Sequence, residues 1–112
     1  MSELKANFWV DALKWRVEAG GASLYVKQRG DADAGAVLVK LSLMDGTSHL
    51  FVPIRGMDGE RIWSQPLGET PLPEAKVDHY MDRRVEDDPD LWLIEIEDRH
   101  GRHFLNEPIE TM

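Results

Sequence analysis

The sequence predicts an α+β domain in which two short helices pack on a mixed, largely antiparallel sheet of five to six strands. Three observations support this prediction: a helical segment opens the chain, hairpin-turn dipeptides separate strand-like segments, and a second helix leads into another apolar strand. The predicted order is α-β-β-β-β-α-β-β. Because 112 residues suit one hydrophobic core, we expect residues 1–112 to form a single compact domain.

The first predicted helix covers residues 4–19. Ser2 is available as its N-cap, and Gly20-Gly21 supplies a left-handed residue that ends a helix. When residues are placed at about 100° per step, apolar side chains occupy most of the helix surface, and Arg16 falls inside that apolar arc. The sequence therefore predicts a helix that is mostly covered by protein, with an arginine that needs a partner or a route to water.

Four strands are predicted next, at 22–28, 36–43, 48–55 and 61–65. Asp-Gly dipeptides at 45–46 and 58–59 are typical hairpin turns, so we expect an antiparallel meander here. The 36–43 segment is apolar on both faces, which indicates an interior strand. Pro53 has no N–H to donate, so its strand is bulged there or has a sheet edge on that side.

A proline-rich loop at 66–73 leads into the second predicted helix, residues 73–86, which Asp88-Pro89 ends. A strong strand at 91–98 and a short strand at 103–105 follow, and residues 106–112 are expected to be a frayed tail. Because two of the strands are apolar on both faces, we expect each face of the sheet to be at least partly covered, with one helix on each.

Composition excludes several functions. The chain has 13 basic and 21 acidic side chains, a formal net charge of −8, which offers no cationic surplus for binding nucleic acid. It has no cysteine, which rules out disulfides, cysteine-ligated zinc and a thiol nucleophile. No phosphate-binding glycine loop, nucleophile elbow or His-Glu helix motif is present, and no signal or membrane-spanning segment is seen. We therefore expect a cytoplasmic protein without cofactor, metal or membrane contact.

The negative charge is concentrated in the second half of the chain. Residues 1–55 hold 7 basic and 6 acidic side chains, whereas residues 56–112 hold 6 basic and 15 acidic ones. A cationic partner would therefore be expected to bind the half formed by the second helix and the strand after it.

Two stretches of the sequence are distinctive, GDADAGAVLVKL at 30–41 and DPDLWLIEIEDRHGRHFL at 88–105. Together with the opening helix and its Trp and Arg, they make the chain resemble the alphaproteobacterial domain-of-unknown-function family 1491 over nearly its whole length. The resemblance implies a small, stand-alone bacterial cytosolic protein. It carries over no catalytic or binding residue.

The residues themselves suggest a semi-buried ion network. Glu95 and Glu97 lie on one face of a strand, about 7 Å apart, and Arg16 and Arg84 each project from the apolar side of a helix. Because inward arginines need anions, we expect both to bind Glu95, Glu97 or Asp31. Such a network is more often architectural than catalytic.

An enzymatic alternative is a divalent-cation-dependent hydrolase with a degenerate nuclease-like arrangement. It would use Asp31 or Asp33 with Lys40, but Leu38 occupies the position where that arrangement needs a glutamate. In the other interpretation, Asp31 and Asp33 make local turns and the flanking glycines supply positive φ. Convergence of these residues with Glu95 and Glu97 in one pocket would favour the enzyme.

The leading prediction is a non-catalytic binding or regulatory module that acts through an acidic surface. Four acids lie at the C-terminal end of the second helix, where the helix dipole disfavours negative charge: Glu86, Asp87, Asp88 and Asp90. They could be neutralised locally by Arg83 and Arg84, or they could dock a basic segment of another protein. Exposed aromatic side chains, Trp15 or Trp63, would instead favour a homodimer.

Overall fold

The structure, a computed structural model, describes residues 5–110 and contains two helices and six strands. The helices are α1 (Ala6–Ala19) and α2 (Glu74–Asp87). The strands are β1 (Ser23–Gln28), β2 (Val37–Ser42), β3 (Thr47–Arg55), β4 (Arg61–Ser64), β5 (Leu72–Pro73) and β6 (Trp92–Glu97). This confirms the predicted α+β class.

The sheet is mixed and has the order β1-β6-β2-β3-β4, with β5 paired to β3. Among the six strands of residues 5–110, β2 and β6 run parallel and the other pairs are antiparallel. The meander is therefore shorter than predicted: it comprises β2, β3 and β4, because β6 inserts between β1 and β2. The β2–β3 ladder ends at the Val39–Phe51 pair, and Pro53 lies beyond it. At Pro53, β3 therefore has a free edge on the β2 side, which is one of the two alternatives predicted for this strand.

One helix covers each face of the sheet, as expected. The α1 side chains that enter the first core recur at helical spacing: Ala6, Trp9, Val10, Leu13 and Val17. The second core is smaller and receives Val77 and Met81 from α2. Alternate side chains of β2 enter the two cores, which makes β2 the interior strand. The Cα radius of gyration is 13.2 Å, close to the value of about 13 Å expected for one domain of this length.

The first helix begins two residues later than predicted. Lys5 has extended dihedral angles, φ −60° and ψ 150°, so α1 starts at Ala6, and the suggested cap Ser2 lies outside the described residues. At the other end, Gly21 adopts a φ of +87°, which is the left-handed conformation predicted for the Gly-Gly stop.

The sixth strand lies at Leu72–Pro73, before α2, instead of at 103–105. Residues 103–105 are not a strand because the chain bends on either side of His103: Gly101 and Phe104 have φ values of 71° and 61°. The N–H of Leu105 then donates to His103 Nδ1 (2.9 Å) rather than to a neighbouring strand.

Where a frayed tail was expected over 106–112, the described part is hydrogen-bonded to the domain. The carboxylate of Glu107 accepts bonds from the indole N–H groups of Trp9 (3.1 Å) and Trp63 (3.0 Å). Ile109 forms a parallel bridge with Trp63. Burial would raise the pKa of Glu107, but the two indole bonds outweigh it and lower the pKa below its usual range. Residues 111–112 lie outside the described part of the chain.

Neither helix within residues 5–110 has the length and apolar character needed to cross a membrane.

Candidate functional site

The main cluster of ionised side chains surrounds Lys40 on the α2 side of β2. Lys40 is only 4% exposed. Its Nζ lies 2.7 Å from Asp78 Oδ1, 3.0 Å from Glu74 Oε1 and 3.2 Å from Glu95 Oε1. One ammonium therefore holds three carboxylates that come from two different elements.

Sheet register and helical spacing bring these groups together. Lys40 is paired with Glu95 in the parallel β2–β6 ladder, so the two side chains share one face. Glu74 and Asp78 are one turn apart on α2 and reach the same ammonium from above. The cluster thus ties the first two turns of α2 to the centre of the sheet.

Lys40 is held in its charged form. Burial would by itself lower the pKa of Lys40, but the hydrogen bonds that its ammonium donates to Asp78, Glu74 and Glu95 outweigh burial and raise the pKa above its ordinary value. A lysine that remains protonated at neutral pH serves neither as a base nor as a nucleophile. The four groups carry a formal charge of −2, so the cluster is anionic.

A cleft of about 440 Å³ opens beside this cluster, and we call it the acidic groove. It lies between α2 and the β6–β1 part of the sheet, because α2 packs mainly over β2, β3 and β5. Six of the residues that line it are Lys27, Asp78, Met81, Asp82, Leu93 and Glu95. Lys27 stands at the rim, with its Nζ 4.0 Å from Glu95 Oε1.

The four acids at the end of α2 form an acidic patch on the surface. Glu86, Asp87, Asp88 and Asp90 are all exposed. Asp88 accepts the backbone N–H of Asp90 (3.1 Å). Within residues 5–110 none of the four forms an ion pair with an arginine or a lysine, so the local neutralisation by Arg83 and Arg84 is not seen.

The two arginines of the expected ion network bind neutral groups instead of acids. Arg16 donates to the backbone oxygen of Phe104 from Nε (3.3 Å) and from Nη2 (3.2 Å). Arg84 donates to the Tyr80 hydroxyl (3.0 Å). Both lie at the borders of the cores, where a long side chain reaches a carbonyl or a phenol without needing an anion. Lys40, rather than Arg16 or Arg84, is the cation that pairs with Glu95.

The expected acidic members separate in space. Glu95 joins the Lys40 cluster and is 7% exposed, whereas Glu97 is half-buried and lines a different cleft. Asp31 accepts the backbone N–H groups of Asp33 (3.1 Å) and Ala34 (2.8 Å), which is the local turn considered for it. Asp33 pairs with Lys5 at 3.6 Å.

The residues of the hydrolase alternative therefore do not converge. Asp31 and Asp33 lie in the β1–β2 loop, whereas Lys40 and Glu95 lie under α2. Leu38 is fully buried in the second core. No group of three or more His, Asp or Glu side chains among residues 5–110 is arranged to hold a metal ion.

The sequence analysis missed Glu74 and Asp78. One available signal was Lys40 itself, because a lysine on a strand that is apolar on both faces requires counter-charges when it is buried. A pair of carboxylates four residues apart on the following helix is a natural source of them.

The profile of a family described as a protein of unknown function (DUF1491) matches residues 4–106. The chain belongs to this family. A DUF1491 family protein from Caulobacter crescentus CB15, known from a crystal structure, is 49% identical to this chain. The match covers 96% of this chain and 100% of that chain, with a TM-score of 0.88. No curated protein matches.

Two solution structures are also similar to this member of DUF1491. An NMR structure of a DUF1491 family protein from C. crescentus CB15 has 47% identity, covers 99% of this chain and 100% of that chain, and gives a TM-score of 0.85. A protein from A. tumefaciens is 27% identical, with 99% of both chains covered and a TM-score of 0.80.

The two stretches on which the resemblance to DUF1491 rests pack against each other. The N–H of Asp31 donates to the carbonyl of Asp90 (2.9 Å), and the indole N–H of Trp92 donates to the carbonyl of Asp31 (2.7 Å). A Cβ atom at Gly30 or Gly35 would overlap that Asp90 carbonyl. The two glycines thus permit a close approach of two backbones, and neither adopts the positive φ considered for them.

Proposed function

We propose that the protein is a non-catalytic binding module whose acidic surface binds a basic segment of another protein. The observation that carries this proposal is the continuity of exposed carboxylates along α2. Asp78 and Asp82 border the acidic groove, and the acidic patch follows at the end of the same helix. A chain of such carboxylates attracts a cationic partner and steers its approach.

The acidic groove is suited to a long basic side chain. Met81 and Leu93, which are 4% and 6% exposed, form a narrow apolar floor for the methylene stem of an arginine or lysine, and Asp78 and Asp82 offer oxygens for its charged end. Lys40 already pairs with Glu74, Asp78 and Glu95, so a second cation would be bound mainly by Asp82 and by the acidic patch.

A charge-reversal pair tests this proposal. The probe is a labelled peptide of arginine and leucine, followed by fluorescence anisotropy at low and physiological salt. We expect Asp82→Lys to weaken binding about tenfold, because it replaces an attraction with a repulsion at the groove. Asp11→Lys changes the net charge equally on the exposed side of α1 and is expected to change binding less than twofold. Equal weakening by both variants would mean that only net charge matters, and the proposal would fail.

The outer face of α1 favours a second candidate, a homodimer. Trp15 is 73% exposed and Phe8 56% exposed, although the sequence predicted that most of this helix is covered; Trp63, the other aromatic considered, is fully buried. Ala12 and Ala19 alternate with the two aromatics along one stripe. Large and small residues in alternation are self-complementary when two copies of the helix pack antiparallel.

The area of this stripe predicts a weak dimer. Two partly exposed aromatics offer far less than the roughly 800 Å² per partner of a standard interface. We therefore expect sedimentation equilibrium to show monomer at micromolar and dimer at millimolar concentration, and Trp15→Ala to abolish the dimer. Asp11→Ala, on the same helix, is the control. A strictly monomeric protein at millimolar concentration would exclude this candidate.

A further inference from the structure

The side of α2 opposite the acidic groove forms a second cleft with the opposite charge. This cleft has a volume of about 680 Å³ and lies between α2 and the proline-rich loop. We call it the basic cleft and define it by six of its lining residues, Leu67, Leu72, Lys76, Tyr80, Arg83 and Arg84. His79 and Ala75 also line it, and Asp87 is an acid at its border.

The apolar part of the basic cleft is accessible. Leu67, Leu72 and Tyr80 pack against the second core but remain only partly buried. The Arg84 guanidinium carbon lies 5.8 Å from the centre of the Tyr80 ring, and Arg84 Nη1 donates to the Tyr80 hydroxyl (3.0 Å). This contact holds one cation and one aromatic ring at fixed positions beside the leucines.

The cations of the basic cleft have no acidic partner in the described part of the chain. Lys76, Arg83 and Arg84 take part in no ion pair within residues 5–110. Lys76 and Arg83 are seven residues apart on α2, about 10 Å along the helix axis. An extended or helical segment with several carboxylates can pair with both positions.

We propose that the basic cleft binds an acidic segment of a second protein that also carries apolar side chains. Its carboxylates would pair with Lys76, Arg83 and Arg84, and a leucine or aromatic side chain would enter between Leu67, Leu72 and Tyr80. This goes beyond the proposed function, because it uses the opposite side of α2 and a partner of opposite charge. The two leucines of the floor and the net charge of −8 favour a peptide over a nucleic acid.

The test uses the full chain and a labelled peptide of glutamate and leucine, measured by fluorescence anisotropy. We expect the peptide to bind, and Arg83→Glu to weaken binding about tenfold. Arg99→Glu reverses an equally exposed arginine outside the cleft and is expected to weaken it less than twofold. Leu67→Ser is expected to weaken binding several-fold through the apolar floor, with circular dichroism confirming that each variant is folded.

Three outcomes would overturn the proposal: no binding of the peptide, equal weakening by Arg83→Glu and Arg99→Glu, or tighter binding of an oligothymidylate than of the peptide. The Asp82→Lys variant separates this proposal from the binding of a basic segment, because it alters the acidic groove and leaves the basic cleft intact. Each of the two sites can therefore fail its own test while the other passes.

Discussion

Replacement of Lys40 by methionine is expected to lower the free energy of unfolding by about 3 kcal/mol. The ammonium of Lys40 is the counter-charge of Glu95, whose side chain is only 9% exposed. Without it, the nearly buried carboxylate of Glu95 keeps only its 4.0 Å contact with the exposed Lys27, next to Glu74 and Asp78, which are 33% and 53% exposed and can turn toward water. The lost free energy of unfolding therefore comes mainly from Glu95. It is expected at the lower end of the range for a broken buried ion pair.

Urea unfolding of matched variants measures this effect. Lys27→Met removes an exposed lysine whose Nζ is 4.0 Å from the same carboxylate, and we expect a change within about 0.5 kcal/mol. The double variant Lys40→Met with Glu95→Gln is expected to recover part of the loss, because no unpaired charge then stays buried at β6. If Lys40→Met is no more destabilising than Lys27→Met, the cluster does not hold α2 on the sheet.

The contribution of Lys40 to the free energy of unfolding depends on pH in a defined direction. The pKa of Lys40 is raised in the folded protein, so its stabilising contribution is fully present below the unfolded value of about 10.4 and is lost only as pH rises through the folded value. We therefore expect the difference between wild type and Lys40→Met to stay constant between about pH 6 and about pH 9. A difference that shrinks within this range would contradict the assigned charge state.

Local pattern was sufficient to predict most of the fold. Helical spacing of apolar residues located both helices, and the Asp-Gly turns located the β2–β3 and β3–β4 hairpins. The insertion of β6 between β1 and β2 depends on a pairing between residues far apart in the chain, which no local pattern specifies. The two-residue β5 was missed for a similar reason, since Leu72 and Pro73 become a strand only by pairing with β3.

The candidate site was only partly predictable. Lys40 was a candidate through the degenerate nuclease-like arrangement, and Glu95 through its position on one strand face with Glu97. A helical wheel gives the angle of Glu74 and Asp78 on α2, but not the strand over which that side of the helix lies, so their contact with Lys40 was not foreseen. The wheel placed Arg16 inside the apolar arc, whereas its side chain lies at the border of the core and binds a backbone carbonyl, which a sequence pattern does not reveal.

Trp92→Ala is the second substitution with a large expected effect, about 3–5 kcal/mol of unfolding free energy. The Trp92 side chain is 1% exposed and belongs to the core under α1. Its indole N–H also donates to the carbonyl of Asp31 (2.7 Å), and the Arg29 guanidinium carbon lies 4.9 Å from its ring centre. Truncation would therefore leave a cavity and release the β1–β2 loop at the point where the two distinctive stretches meet.

A graded series separates these two contributions. Trp92→Phe keeps most of the core volume but leaves the Asp31 carbonyl with only the longer bond from the Gly35 N–H (3.3 Å), for which we expect about 1–2 kcal/mol. Trp15→Ala, at an exposed position, should stay within about 0.5 kcal/mol. Gly30→Ala forces the loop away from Asp90 without altering the indole and is expected to cost about 1–3 kcal/mol. Faster hydrogen exchange at the Asp31 amide should accompany Trp92→Phe and Gly30→Ala alike, because that amide donates to Asp90. If the Asp31 amide exchanged at the wild-type rate in both variants, the contact between the two stretches would not be what Trp92 stabilises.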